Sequence, residues 1–287
     1  ITIETLDPFG FSVTDEKKLP KRKLENFGNS VHIKTKEITI RNIMLFKKND
    51  KLDAKLLLES ERLIRSQRYI REVKIVPVDI PKNKDSIDIK IRVLDSWTLI
   101  PTGSLSSTES SAKLTERNIL GFGHLISGNI KNRFDTRERA VYAQYSINNI
   151  KNTYFRFDLD YANEFNNDSK RSVNINRPFY SVIAKNAGGF YFENSLRTEQ
   201  FPVLDTISLQ NVSYDFQEYW YGRAFKINSK SNSERYFTNL ILALTYNQKV
   251  FGRMPEATLD PSNYFSNEKN WIGMIGVSKQ KFYQDTF

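Results

Sequence analysis

The chain has 287 residues, a formal net charge of +10, no cysteine and two histidines, His32 and His124. This excludes disulfides, thiolate metal sites and multi-histidine metal centres, and leaves a Ser-His-Asp hydrolase only those two histidines to use. No apolar run approaches the ~20 residues of a membrane helix, but a membrane β-barrel, apolar only at alternate strand positions, stays open. The 20 Phe and 14 Tyr against 3 Met lean toward such a barrel.

Lysine and arginine are spread along the chain and interleaved with Asp and Glu. No basic run coincides with a nucleic-acid reading motif, so no nucleic-acid partner is expected. A solvated surface or attraction to anionic headgroups accounts for the charge.

Residues 1–36 are polar and basic, with LPKRK at 19–23, and read as a leader or linker. KEITIRNIMLF (Lys36 to Phe46) then reads as a strand, because Ile38 and Ile40 alternate with polar neighbours. Asp50 or Asp53 offers an N-cap for a helical region running from Asp53 to Gln67 as one helix or two. Leu56 and Leu63, and Leu57 and Ile64, are seven apart and form its apolar stripe, with Glu59, Glu61, Arg62 and Arg65 outside. Tyr69 to Ile80 reads as a strand, PKNKD as a turn, and SIDIKIRVLDSW as a second strand. In the latter, Ile87, Ile89, Ile91 and Val93 face a core, while Asp88, Lys90 and Arg92 face water. Residues 37–97 thus form an α+β unit, its helical layer on one face of a three-stranded sheet.

Beyond Leu99 about nine further segments read as strands. Phe155, Phe157, Leu159 and Tyr161 share one face, and Arg156, Asp158 and Asp160 the other. INNIKN and RPFYSVIAKN look compact, whereas FDTRER, NEFNNDSKR, RTEQFPVLD and NSKSNSER look like longer polar loops. That alternation matches a membrane barrel. Phe134, Phe165, Tyr180, Phe201, Tyr219, Trp220 and Trp271 fall near strand ends, as interfacial girdles do. A soluble β-sandwich is the competing architecture.

Catalytic and metal-binding residues are not expected. Asp85 sits in a turn and Asp88 on a solvated strand face, and Asp95 follows on the same strand. Asp158 and Asp160 suit a polar lumen. His124 lacks a recognisable nucleophile, there being no G-x-S-x-G. Gly121-Phe122-Gly123 lacks the Lys-Ser/Thr of a phosphate loop, and its glycines suit a tight hairpin or a strand pairing that opens easily.

The stretch ESERLIRSQRYIREVKI followed by DSIDIKIRVLDSWTLIP resembles a POTRA domain, a β-α-α-β-β unit. LTERNILGFGHLISGNI (Leu114 to Ile130) resembles the start of the barrel in the BamA/TamA superfamily of outer-membrane proteins. DSW, NRPFYS and WYGRAF are similar to Bacteroidetes-type members. The resemblance covers roughly Lys36 to Phe287. It implies a periplasmic POTRA-like domain at 37–97 and an all-β antiparallel transmembrane barrel from 98 to 287. The family's late Arg-Gly-Phe lid motif is missing, and the strands amount to about half of the family's sixteen. The barrel is therefore expected to be incomplete in this chain, with an eight-stranded closed barrel ending at Phe287 as the alternative.

The implied function is assembly or translocation of proteins at the outer membrane, without a cofactor. Client polypeptides would add to a POTRA edge made by Val73, Lys74, Ile75, Val76 and Val78. The lateral seam would be the first strand and its hairpin, Ala112 to Ile130, carrying Leu114, Glu116, Arg117, Asn118, Leu120, Gly121 and Gly123. The implied partners are outer-membrane lipid, unfolded outer-membrane or secreted clients, and accessory lipoproteins. A pore or structural barrel with a periplasmic scaffold domain, or a barrel partnered with a hydrolase domain, are the alternatives.

Overall fold

The computed structural model describes residues 1–81, 86–203, 206–227, 236–255 and 266–281. The turn expected at 82–85 with Asp85, the stretch 228–235 and the terminal Phe287 lie outside the described residues. Two compact units emerge. The first comprises Ile1–Ser106, Ser110–Asn129 and Gln144–Tyr154; the second comprises Ser107–Glu109, Ile130–Ala143 and Phe155–Phe287.

The first unit contains an α/β domain. Its order is β1 (Thr2–Leu6), α1 (Lys23–Val31), α2 (Glu37–Arg41), α3 (Ala54–Arg65), β2 (Ile70–Asp79) and β3 (Ile87–Asp95). The sheet runs β1-β3-β2, with β1 parallel and β2 antiparallel to β3. Asp53 caps α3 by accepting the Lys55 N–H at 2.8 Å, and α3 packs on β2. Val73, Ile75, Ile89, Ile91 and Val93 from the sheet are buried, as are Ile40, Ile43, Leu63 and Ile64 from the helical layer. Each such side chain contributes about 1.5–3 kcal/mol by leaving water.

The domain departs from its sequence reading in three places. Residues 1–36 are not a detached leader: Thr2–Leu6 is the strand parallel to β3. Leu6, Val13 and Leu94, with Phe11 against them, form a second cluster. Arg92, expected in water, is buried; it donates to Glu4 at 2.8 Å and to the Val13 carbonyl at 3.1 Å. These apolar residues act singly, so no periodicity announces them. Second, Lys36 to Phe46 holds helix α2 instead of a strand. Ile40, Ile43 and Met44 are buried at helical spacing, and Ile38, whose alternation with Ile40 suggested a strand, is half exposed. The order is therefore β-α-α-α-β-β. Third, Glu59 lies inside the α3 stripe, buried and held by two 2.8 Å hydrogen bonds from Arg62.

Ten strands follow, hydrogen-bonded as neighbours in chain order. They are β4 (Leu99–Leu105), β5 (Glu109–Ile119), β6 (His124–Arg133), β7 (Arg139–Ile147), β8 (Arg156–Asn163), β9 (Ser169–Arg177), β10 (Asn186–Val203), β11 (Thr206–Lys226), β12 (Tyr236–Arg253) and β13 (Glu268–Lys281). Among the described residues β4 and β13 are the two edges.

In the second unit the two sheet faces are inverted relative to a water-soluble sandwich. The antiparallel registers align Phe157, Ile175, Phe190, Tyr219, Tyr246 and Trp271 in one row across six strands. The neighbouring row on the opposite face is Asp158, Asn174, Tyr191, Glu218, Asn247 and Asn270. The apolar face is the exposed one: Leu159, Tyr161, Phe190, Phe192, Tyr219 and Trp271 are exposed. Asp158, Ser172, Glu193 and Ser195 on the polar face are buried. Glu193 is satisfied there by Lys170 at 2.9 Å and by the Tyr214 hydroxyl at 3.1 Å. An apolar outer face over a hydrogen-bonded polar inner face is the arrangement lipid demands.

Several expectations for these strands change. Tyr219 and Trp271 lie in the exposed aromatic row, but Phe201 is buried with Val212 and Phe251, and Trp220 falls on the face opposite Tyr219. RTEQFPVLD is no loop, because β10 runs through it to Val203 and β11 resumes at Thr206. The loop lengths reverse as well. Residues 134–138 and 164–168 connect strands more tightly than residues 148–155 and 178–185 do. Within RTEQFPVLD, Arg197 and Glu199 lie on the polar face and Thr198 and Gln200 on the opposite one.

Candidate functional site

Asn118 to Gly123 closes the β5–β6 hairpin and is tied to the α/β domain by several hydrogen bonds. Leu120, Gly121 and Gly123 all have positive φ, at 52°, 77° and 69°. The Gly121 carbonyl accepts the Lys36 N–H at 2.9 Å and the Thr39 hydroxyl at 2.7 Å. A polar chain runs beside it. His32 Nε2 lies 3.1 Å from Asp95 Oδ2, and the Thr35 N–H donates to that same oxygen at 2.7 Å. Asn118 Nδ2 donates to Thr35 Oγ1 at 2.9 Å, and Asn118 Oδ1 accepts the Gly123 N–H at 2.7 Å. The Asp95 and His32 side chains are 0% and 1% exposed. Tyr69, also buried, has its hydroxyl pKa raised by desolvation first and by the Asp95 charge second, which keeps it a neutral phenol.

The glycines permit this close approach. A Cβ on Gly121 would sit 2.3 Å from the Lys34 carbonyl oxygen, and one on Gly123 would sit 2.6 Å from the Tyr69 ring. The segment from Lys34 to Thr39 and the Tyr69 ring are thereby fastened to the β5–β6 hairpin.

Of the expected seam residues, Asn118, Gly121 and Gly123 meet at this lock. The Glu116 carboxylate supports it by accepting the Asn118 N–H at 2.7 Å, and the Arg117 N–H donates to the Thr98 carbonyl at 3.2 Å. Leu114 and Leu120 are exposed. None of them lies on the first strand of the sheet. That strand is β4, paired with β5 from Leu99↔Glu116 to Leu105↔Ser110, so the edge is one strand earlier than expected. His32, Thr35, Thr39, Tyr69 and Asp95 were absent from the expected site. Their partners are distant in sequence, and no local pattern marks them.

The β2 edge is an edge, with β3 on its other side. Val73 and Ile75 are buried, Lys74 is half-buried, and Val76 and Val78 are exposed. Its outward hydrogen-bonding positions are partly used. Pro77 has no N–H, which on an edge strand turns that side outward, and Ile75 shares the side. The Ile75 N–H already donates to Glu61 Oε2 at 3.2 Å, and Glu61 also pairs with Arg65. A proline and a side-chain cap are ordinary means of blunting an edge. Glu61→Ala is expected to speed amide exchange at Ile75 about tenfold, the equivalent of about 1.5 kcal/mol for a hydrogen bond to a charged acceptor. Unchanged exchange of the peptide containing Ile75 would show that the cap is immaterial.

The remaining candidates among the described residues lie apart from one another. Asp88 is exposed, Asp158 pairs with Arg156 at 2.7 Å, and His124 Nδ1 lies 2.8 Å from the Tyr145 hydroxyl. Among the described residues no group of three or more His, Asp or Glu side chains is placed to hold a metal ion.

No family model matches the sequence, and no curated protein matches it at a significant score. Among solved structures, the chain is similar to BamA from Haemophilus ducreyi lacking POTRA domains 1–3. The identity is 13% and the TM-score 0.42, over 87% of this chain and 50% of that one. It is also similar to CdiB from Acinetobacter baumannii, at 10% identity and a TM-score of 0.39, over 78% of this chain and 52% of that one. The chain thus spans about half the length of the structures it matches.

Proposed function

We propose that this chain is part of an outer-membrane protein of the BamA/TamA type that assembles or translocates polypeptides. The small domain would be a periplasmic POTRA-like unit and the large sheet part of a transmembrane barrel. The observation that carries the reading is the inverted sheet of the second unit. An apolar row from Phe157 to Trp271, exposed at Phe190, Tyr219 and Trp271 and half-buried elsewhere, backed by a polar row from Asp158 to Asn270, is costly in water and favourable in lipid.

The polypeptide-handling edge is better assigned to β4 than to β2. Strand β4 is exposed at all but Ile100 and ends the sheet among the described residues, which makes it the more accessible edge; like β2 it is partly blunted, because Pro101 has no N–H and the Leu99 carbonyl accepts the Trp97 indole N–H at 2.6 Å. The burial of Val73 and Ile75 and the Glu61 cap on Ile75 favour a second role for the small domain, as a scaffold that positions the hairpin. Clients would be unfolded outer-membrane or secreted polypeptides, and accessory lipoproteins remain candidate partners.

Photocrosslinkers placed at Thr102 and Ser104 in cells are expected to trap client polypeptides. One at Lys74 is expected to trap them only weakly, and more strongly in a Glu61→Ala background. Capture at Lys74 alone would move the client site back to β2. No capture at any of these positions would sink the polypeptide-handling reading.

A further inference from the structure

Helix α1 turns its apolar stripe away from the domain that carries it. Leu24, Phe27 and Val31, at i, i+3 and i+7, are 82%, 66% and 54% exposed. The helix is attached by a different side. Gly28 packs on the Phe9 ring, and the Asn29 side chain exchanges two hydrogen bonds with the Phe9 backbone, at 3.2 and 2.9 Å. An amphipathic helix held this way has its apolar face left for another phase or partner.

The charge beside the stripe selects the partner. Lys17, Lys18, Lys21 and Lys23 precede or open α1, and none makes an ion pair among the described residues. The nearby acids are already engaged: Glu16 pairs with Lys90, and Glu25 accepts the N–H groups of Lys21 and Arg22 at 2.9 and 3.0 Å. Position narrows the choice further. Phe9 lies 5.8 Å from Trp97, whose indole N–H donates to the Leu99 carbonyl at the start of β4. Helix α1 is thus anchored at the base of the first strand of the large sheet. Tryptophan is the residue type found at such a level in membrane proteins.

We infer that α1 is an interfacial helix on an anionic phospholipid surface. Leu24, Phe27 and Val31 enter the acyl boundary, and the four lysines lie among the headgroups. The inference rests on the membrane-barrel reading above, which makes the base of β4 a membrane boundary.

The 287 residues contain no cysteine, and any cysteine elsewhere in the full-length protein would be replaced by serine before labelling. The full-length protein would be reconstituted in phosphatidylcholine vesicles containing phosphatidylglycerol. Labels would be placed through Leu24→Cys, Phe27→Cys, Ser30→Cys and, on the sheet's exposed apolar face, Leu159→Cys. Collision with oxygen would be compared with collision with a water-soluble nickel chelate. Labels at 24 and 27 are expected to shift toward oxygen, the label at 30 to stay with nickel, and the shift to shrink when phosphatidylglycerol is omitted. A shift that ignores phosphatidylglycerol overturns the headgroup half of the inference. Nickel access at 24 and 27 with oxygen access at 159 overturns the interfacial helix and leaves the barrel standing. Nickel access at 159 overturns the barrel reading itself. Labels at 24 and 27 shielded from both reagents would mean that protein covers the stripe, which also overturns the inference.

Discussion

Gly121→Ala is expected to release the β5–β6 hairpin from the α/β domain and to cost about 2–5 kcal/mol of stability. Two separate penalties add. At φ of 77° an L side chain pays about 1–2 kcal/mol for a left-handed backbone. The new methyl then meets the Lys34 carbonyl oxygen at 2.3 Å, a backbone atom that cannot rotate aside. Relieving such a contact costs about 1–3 kcal/mol and pulls Lys36 and Thr39 off the Gly121 carbonyl. The total exceeds any one hydrogen bond at the site, worth about 0.5–1.5 kcal/mol net. Gly123→Ala is expected to behave alike, because the Tyr69 ring it would strike is itself buried. Gly128→Ala is the control, with no atom within 4 Å of its Cβ. Thermal unfolding in detergent and protease access to residues 34–36 are the measurements. A Gly121→Ala protein that melts and resists protease like the parent would refute the close-approach argument.

The sequence marked these glycines as special for a reason the fold only half honours. Paired glycines suit a tight hairpin or a strand pairing that opens easily; the tight hairpin is present between β5 and β6, and the glycines also admit the Lys34 carbonyl and the Tyr69 ring. The partners were illegible because Thr39 and Thr35 lie 82 and 83 residues from the atoms they bind. Thr35 also belongs to a segment without periodicity. Alternation, a local signal, was read correctly where it was strong. Phe157, Leu159 and Tyr161 do share the exposed face of β8, and Ile89, Ile91 and Val93 do share the core face of β3. It misled at Ile38 and Ile40, where two alternating residues are too few to separate a strand from a helical turn. Loop lengths misled for a related reason. On a sheet whose inner face is polar, Arg197 and Glu199 are ordinary strand residues beside Glu193 and Ser195, although in a soluble sandwich they would suggest a turn. The expected edge Val73 to Val78 was found, but its cap was not, since Glu61 reaches Ile75 from another element.

Asp95→Ala is expected to cost about 2–6 kcal/mol, the sum of two buried donors each left without an acceptor at about 1–3 kcal/mol. Both donors to Asp95 converge on Oδ2: the His32 ring at 3.1 Å and the Thr35 N–H at 2.7 Å. Removing the carboxylate leaves a buried imidazole and a buried amide without an acceptor, and the amide alone costs about 1–3 kcal/mol. Asp95→Asn separates charge from geometry. Its single carbonyl oxygen can take the place of Oδ2, while its NH2 falls where Oδ1 has no hydrogen-bond partner among the described residues. Asp95→Asn should therefore fall between the parent and Asp95→Ala in melting temperature. Equality with Asp95→Ala would assign the whole effect to charge. Asn118→Ala removes the next link, the bonds to Thr35 and to Gly123. Because both residues act through Thr35, a double-mutant cycle between Asp95→Ala and Asn118→Ala should give a coupling of about 0.5–3 kcal/mol. Strict additivity would mean that the two links act independently. The polar chain from His32 to Gly123 would then contribute only as separate hydrogen bonds.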